Sequence, residues 1–333
     1  MRDVIDELTA MLADGRRVAV ATVVSTRRSA PRPVGSRMLV DEHGAMVGSV
    51  SGGCVESDVA LRAAEVLAGA DPQLVTYGIA DEEAFAVGLP CGGEIEVFVA
   101  AADPGELERV RTATERGDRL AVTTTLSGPH AGRKVYSDGG PDSTAERADE
   151  LTLVEHYAPA PVLLVFGAVD TAQALCRIAN MVGFHTVVSD ARARFATAER
   201  LPDAAELVVG WPAVAYEAHP LDEATYVVAL THDPRFEEPA LGPAIRSNAP
   251  YIGALGSRRA QEARRRRLRN AGYSDEEIDR VRAPVGLDLG AISPAETAVS
   301  VLAEIIAVRN GRSGGPLSAA AAGRIHPEAV AGA

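Results

Sequence analysis

Four groups of residues in this 333-residue sequence have the side-chain types and spacing that chemistry requires. The first is a pair of glycine-flanked cysteines. Cys54 follows Gly52 and Gly53 in SVSGGCVES, and Cys91 precedes Gly92 and Gly93 in GLPCGG. Glycines remove side chains and admit unusual backbone angles, so a sulfur beside them can stand exposed among backbone N–H groups. That setting favours thiolate, the form that binds metals and attacks electrophiles. Cys54 and Cys91 are therefore candidates for function as reactive or ligating thiols, the alternative for each being a small buried packing residue. The remaining cysteine, Cys176, lies among Ala174, Leu175, Ile178 and Ala179 and reads as a packing residue.

The second group is the turn Gly167-Ala168-Val169-Asp170, placed between an apolar run and a helical pattern. A dinucleotide fingerprint needs three glycines, one each for the tight turn, the approach of the pyrophosphate and helix–strand packing. Gly167 keeps the first. Val169 occupies the second and would crowd a phosphate, and Asp170 competes with an anion for the helix N–H groups. Asp190, about 20 residues on, stands where a ribose-binding acid belongs. The third group, Thr231, His232 and Asp233, follows the strand pattern TYVVAL. The fourth is Gly256, Ser257 and Arg258, with Arg259, ahead of a helix, a combination suited to cradling a phosphate. Three cysteines and seven histidines show no paired spacing of the kind zinc needs.

The elements that position these residues can be read from periodicity. Strands are expected at Val18–Val24, Arg37–Val40, Met46–Val50, Leu74–Tyr77 and Ile95–Val99, with a helix from Val55 onward. Residues 118–140 echo residues 16–44 and are expected to add an edge hairpin to the same sheet. PDSTAERADE is polar and turn-rich, so 141–160 reads as a linker. Beyond it, Val162–Phe166 is an uninterrupted apolar run, as in a strand buried on both faces. Helices then alternate with strands at His185–Ser189, ELVVG, TYVVAL and PYIGAL, which implies parallel strands with right-handed crossovers. Ser274 with Glu277 and Ser293 with Glu296 are capping boxes, the second reinforced by Pro294. The fold class is α/β: an N-terminal mixed α/β domain (1–140), then a Rossmann-like three-layer parallel-sheet domain (161–310), with 311–333 read as a flexible tail.

Composition sets outer limits. The formal net charge of −13 disfavours nucleic acid and anionic lipid as partners, and no run of ~18 apolar residues suggests a membrane span. The run Arg264–Arg267 falls in a helix and reads as a solvated or ion-paired face. The opening MRDVIDELTAMLADG is an amphipathic helix with acids rather than a signal peptide, and the cysteines are few and odd in number, so the expected compartment is the cytoplasm.

Taken together, PRPVGSRMLV, GSVSGGCVE, GLPCGGEIEVFV, THDPRFEEPAL, YIGALGSRR and APVGLDLGA resemble the XdhC/CoxI family, accessory proteins of molybdenum hydroxylases, across roughly 1–100 and 160–310. The resemblance implies a protein that binds the molybdenum cofactor (molybdopterin), protects it, helps its molybdenum acquire a terminal sulfur and passes it to an enzyme such as xanthine dehydrogenase. Independent turnover is not expected. On this likeness Cys54 and Cys91 hold molybdenum or relay sulfur, and the loop Gly256–Arg259 meets the cofactor phosphate. Where the family carries a second glycine and a histidine in its Rossmann turn, this chain has Val169 and Asp170. The implied partners are a molybdenum hydroxylase, a cysteine desulfurase and a second copy of the chain. The competing reading is an NAD(P)-dependent oxidoreductase with a degenerate fingerprint, which the Gly167 turn disfavours and Asp190 favours.

Overall fold

A computed structural model describes residues 4–27, 30, 32–78, 93–141, 143–149 and 151–319. The chain forms two compact units, divided between Pro159 and Ala160.

The first unit opens with α1 (Ile5–Ala13), β1 (Val18–Arg27), β2 (Arg37–Asp41), β3 (Met46–Gly48), α2 (Glu56–Leu67), β4 (Gln73–Tyr77) and β5 (Glu94–Ala101). Their strands make a five-stranded sheet in the order β3-β2-β1-β5-β4, antiparallel at each pairing. Side chains alternate across it because successive strand residues point to opposite faces. Ala19, Ala21, Val23, Val97 and Val99 pack under Val59, Ala63 and Val66 of α2. Val18 and Leu39 face the other way, onto Leu8 and Met11 of α1. The loop carrying Cys54 links β3 to α2, so this sheet and helix fix both of its ends.

Next come α3 (Pro104–Arg116), β6 (Leu120–Thr125), β7 (Lys134–Asp138), β8 (Ala145–Arg147) and β9 (Thr152–Tyr157). The echo of the first hairpin is real as a β6–β7 pair, but it does not extend the first sheet. It belongs to a separate four-stranded sheet ordered β7-β6-β9-β8. The stretch 141–160 is likewise not a linker through most of its length, since it supplies β8 and β9. Arg37 explains why these strands are needed. It is 3% exposed and reaches Glu155 at 2.5 Å, the Tyr157 hydroxyl at 3.5 Å and Glu106 at 3.8 Å. Lys134, the sole lysine in the sequence, reaches Glu106 at 2.6 Å. Buried charges persist only when paired in this way.

The second unit runs β10 (Val162–Phe166), α4 (Asp170–Met181), β11 (His185–Asp190), β12 (Glu206–Val209), α5 (Pro212–Ala218), β13 (Thr225–Ala229), α6 (Pro234–Ile245), β14 (Tyr251–Ala254), α7 (Arg258–Asn270), α8 (Asp275–Asp279), β15 (Val281–Arg282) and α9 (Pro294–Arg309). Its six strands are parallel in the order β12-β11-β10-β13-β14-β15. In units of sequence this is 3-2-1-4-5-6, the Rossmann order, which reverses between β10 and β13. Leu163 and Val165 face α4 and α9, whereas Leu164 and Phe166 face α5 and α6. That two-sided burial is why Val162–Phe166 is apolar without a break. Both expected capping boxes are present, at Ser274/Glu277 and Ser293/Glu296. Beyond α9 the described part of the tail is exposed, with a short turn at Leu317–Ala319.

Candidate functional site

The Cys54 loop is organised by an acid at the first residue of α2. The Glu56 side chain turns back along the loop and accepts the N–H groups of Ser51 and Gly53 at 2.9 Å and those of Val50 and Val55 at 3.2 Å. It also accepts the hydroxyls of Ser49, at 2.6 Å, and Ser51. Those hydroxyl oxygens in turn accept the remaining N–H groups: Gly52 on Ser49 at 2.8 Å, and Cys54 on Ser51 at 2.9 Å. Burial alone would raise the Glu56 pKa. The hydrogen bonds from Ser49, Ser51 and the backbone more than reverse it and hold the carboxyl at about 2, so the loop wraps a carboxylate.

This corrects one expectation. The N–H groups around Cys54 do not surround its sulfur as open donors, because Glu56 and the two serines already engage them. The glycines do act as expected. Gly52 and Gly53 have φ of 76° and 115°, a region that L side chains rarely adopt, and an added Cβ on either would meet nothing within 4 Å. Cys54 is a free thiol, half-buried against the core beneath α2, beside this open, side-chain-free turn. Cys91 and Gly92 lie outside the described residues. Gly93, just before β5, is buried.

The other candidates gather at the carboxyl ends of the adjacent strands β11, β10, β13 and β14, where ligands bind in this architecture. Gly167 has φ 114°, and an added Cβ would lie 3.3 Å from the Leu230–Thr231 backbone, so the turn into α4 packs closely on the end of β13. The Ala168 N–H donates to Asp190 at 2.9 Å. Asp190 is 3% exposed and also accepts the Arg192 N–H, Nε and Nη2 at 2.9, 2.9 and 2.7 Å. Burial raises its pKa, and these bonds, led by the Arg192 guanidinium, outweigh that and hold it below the usual carboxylate range. Asp190 therefore already has donors within the protein where a ribose would have to supply them. Asp170 is exposed, 3.6 Å from Arg200.

Asp233 caps α6 by accepting the Arg235 N–H at 3.0 Å, and it pairs with the Arg235 guanidinium at 2.8 Å. Ser257 caps α7 through the Ala260 N–H at 3.2 Å. Each thus has a structural role at a helix start, while His232 and Arg258 are exposed at the same edge. The arginine run is ion-paired, as one of the two expected alternatives has it, except at Arg266, and one of its members is buried. Arg264 is 2% exposed, bonded to Glu237 and, at 2.7 Å, to the Leu255 carbonyl. Arg267 reaches Glu237 and Glu238, Arg265 reaches Asp275 and Asp279, and Arg266 is exposed.

An open groove of about 860 Å³ between α3 and β6–β7, floored by Tyr136 with Arg109 over its ring, contains none of the candidate residues. Among the described residues, no group of three or more His, Cys, Asp or Glu could hold a metal ion, and no helix is long and apolar enough to cross a membrane. The sequence reading missed Glu56, whose signal is an acid placed at the helix start just after the glycines and cysteine.

Comparison with known proteins agrees with this two-part organisation. Residues 11–78 match the XdhC and CoxI family, and residues 163–305 match the XdhC Rossmann domain. The Escherichia coli protein named molybdenum cofactor insertion chaperone PaoD is 30% identical over 306 residues, covering 90% of this chain and 85% of that protein. The chain belongs to the XdhC/CoxI family. A second relative, from Bacillus subtilis and named as a probable xanthine dehydrogenase subunit, is 29% identical, with 91% of this chain and 96% of the relative covered. A crystal structure from Bacillus halodurans described as a xanthine dehydrogenase superposes with a TM-score of 0.73 at 27% identity, covering 95% and 97% of the two chains. The XdhC/CoxI assignment thus spans both units, and the Rossmann-like fold of the second has a solved counterpart.

Proposed function

We propose that this XdhC/CoxI protein is a maturation factor that binds the molybdenum cofactor, assists its sulfuration and delivers it to a xanthine-dehydrogenase-type molybdenum hydroxylase, without turnover of its own. Support comes from its kinship with a protein named as a cofactor insertion chaperone. The observation that carries the reading is the half-buried free thiol of Cys54 beside the open Gly52–Gly53 turn. Soft sulfur ligands suit molybdenum–sulfur chemistry, and a turn without side chains leaves room for a bulky pterin to approach. Glu56 holds the loop's backbone so that the thiol is presented on a fixed frame. Within the second unit taken by itself, Gly167, His232, Gly256 and Arg258 are the groups at the carboxyl edge of the Rossmann sheet that would meet an anionic ligand. When bound, the cofactor supplies the redox-active metal that the target enzyme uses.

Cys91 is proposed as a second sulfur ligand or relay, with a cysteine desulfurase as sulfur donor and a second copy of the chain as a further partner. The test is native mass spectrometry of anaerobically purified protein carrying Cys54→Ser or Cys91→Ser. Lower cofactor occupancy in a folded variant is expected. Unchanged occupancy in both would remove the thiols from the mechanism.

The 3-2-1-4-5-6 strand order favours one other reading, an NAD(P)-dependent oxidoreductase. Val169 in the turn and the engagement of Asp190 with Arg192 speak against it. Submicromolar binding of NADH or NADPH would support that reading instead.

A further inference from the structure

The only tryptophan in the sequence stands at the carboxyl edge of the Rossmann sheet, 52% exposed. Val209 pairs with Asp190 in register, so Trp211 lies two residues past the end of the β11–β12 ladder. The Gly210 N–H donates to the Asp190 carbonyl at 3.2 Å, and the Ser189 hydroxyl donates to the Gly210 carbonyl at 3.4 Å, which ties this corner to the end of β11. Trp211 then occupies the N-cap position of α5 without a side-chain capping bond, and Pro212 fixes the first helical residue. The indole meets Phe236 at a tilt of 41° with ring centroids 5.6 Å apart, and Phe236 meets Phe166 edge-on at 6.3 Å. A chain of aromatic contacts therefore runs from the sheet to the edge, and its outermost ring is left half in water. Phe236 sits in the first turn of α6, next to the point where the strand order reverses and ligands bind in this architecture.

Exposed apolar residues are common on protein surfaces, so exposure alone decides nothing. Position and neighbours decide here. Arg192, two residues past β11, and Arg235, in the first turn of α6, lie at the same carboxyl edge, each already paired with a carboxylate, Asp190 and Asp233. A rigid indole anchored against a second ring and left half in water suits a flat heterocycle. We propose that Trp211 is the stacking platform for such a heterocycle, the pterin or nucleobase of a phosphorylated ligand, at the carboxyl edge of the second unit. This rests on the reading that the cofactor binds at that edge, and it adds the residue that would grip the ring.

The test uses the full chain, whose fluorescence under indole excitation reports Trp211 alone. Pterin-6-carboxylate, AMP and inorganic phosphate are titrated, and affinities are measured independently by calorimetry for the unaltered protein, Trp211→Phe and Trp211→Ala. Saturable quenching by a ring-bearing probe and none by phosphate is expected, and the two ring-bearing arms separate pterin from nucleobase. Trp211→Phe keeps affinity within roughly three-fold and Trp211→Ala loses about ten-fold or more, the range of one base–aromatic stack. Unchanged affinity in Trp211→Ala would overturn the platform and leave ligand binding at the edge standing. Failure of both ring-bearing probes to bind the unaltered chain would overturn the platform and the edge site together, even where mass spectrometry finds cofactor on the protein. Loss of association with a hydroxylase at unchanged probe affinity would assign Trp211 to protein docking, against this proposal.

Discussion

Asp190 and Arg192 form a two-pronged ion pair at the end of β11, Nε to Oδ1 at 2.9 Å and Nη2 to Oδ2 at 2.7 Å. The same carboxylate accepts the Ala168 N–H, so it locks the turn into α4 to the neighbouring strand. Asp190→Ala leaves those donors without their acceptor. It is expected to lower the free energy of unfolding by about 2–4 kcal/mol in urea titrations. A change under about 0.5 kcal/mol would mean that the carboxylate is free to serve a ligand.

The Glu56 carboxyl, at about 2, gives its loop a defined acid response. An unfolded glutamate titrates near ~4.3, so the folded state holds this proton less tightly. Its stabilising contribution is therefore complete above about pH 4.3 and is lost as pH falls toward 2. Glu56→Gln should be less stable at neutral pH by about 1–3 kcal/mol, and its urea midpoint should fall less steeply than that of the unaltered protein between about pH 4.5 and 2. Parallel acid limbs in the two proteins would exclude the Glu56 network as the cause.

Cys54→Ser should separate folding from ligand handling. The thiol is half-buried, small and outside any described hydrogen bond of the Glu56 network, so thermal unfolding followed by circular dichroism is expected to shift by no more than about 1 kcal/mol equivalent. A large shift would make the residue a packing element and weaken its proposed role.

Arg264 and Arg266 are two residues apart and should behave oppositely. Arg264→Ala removes one of the two guanidinium partners of the buried Glu237 carboxylate, leaving Arg267, and also frees the Leu255 carbonyl, so it is expected to cost about 1–3 kcal/mol. Arg266→Ala removes an exposed side chain and should stay within about 0.5 kcal/mol. Calorimetric melting of the two variants checks the contrast, and similar losses in both would contradict the burial of Arg264.

The sequence was most legible where local chemistry decides. The apolar run Val162–Phe166, the turn at Gly167 and the two capping boxes all announce themselves within a few residues. Long-range pairing was hidden. β9 alternates as a strand should, with Leu153, Glu155 and Tyr157 buried, but one of its inward residues is a glutamate. Its partner, Arg37, is far away in the chain, so the segment looks polar enough to be a linker. The four consecutive arginines are identical as letters, and only helix phase and Glu237 on another helix single out Arg264. Glu56 sits inside the motif GSVSGGCVE, but its role depends on the loop doubling back over it. Of the candidate site itself, the Rossmann edge was legible as a set of strand ends, whereas the occupation of Asp190 and Asp233 by nearby arginines was not.

The Arg37–Glu155 pair also sets a schedule for synthesis. Its members are 118 residues apart, so the guanidinium leaves the ribosome roughly 6–24 s before the carboxylate that neutralises it, at typical elongation rates. Until β9 has emerged, closing the first sheet would leave the buried Arg37 with the more distant Glu106, at 3.8 Å, as its carboxylate and without its 2.5 Å partner. A truncated product ending at residue 140 would therefore make a poor independent domain, and the natural cut for separate expression lies at Pro159.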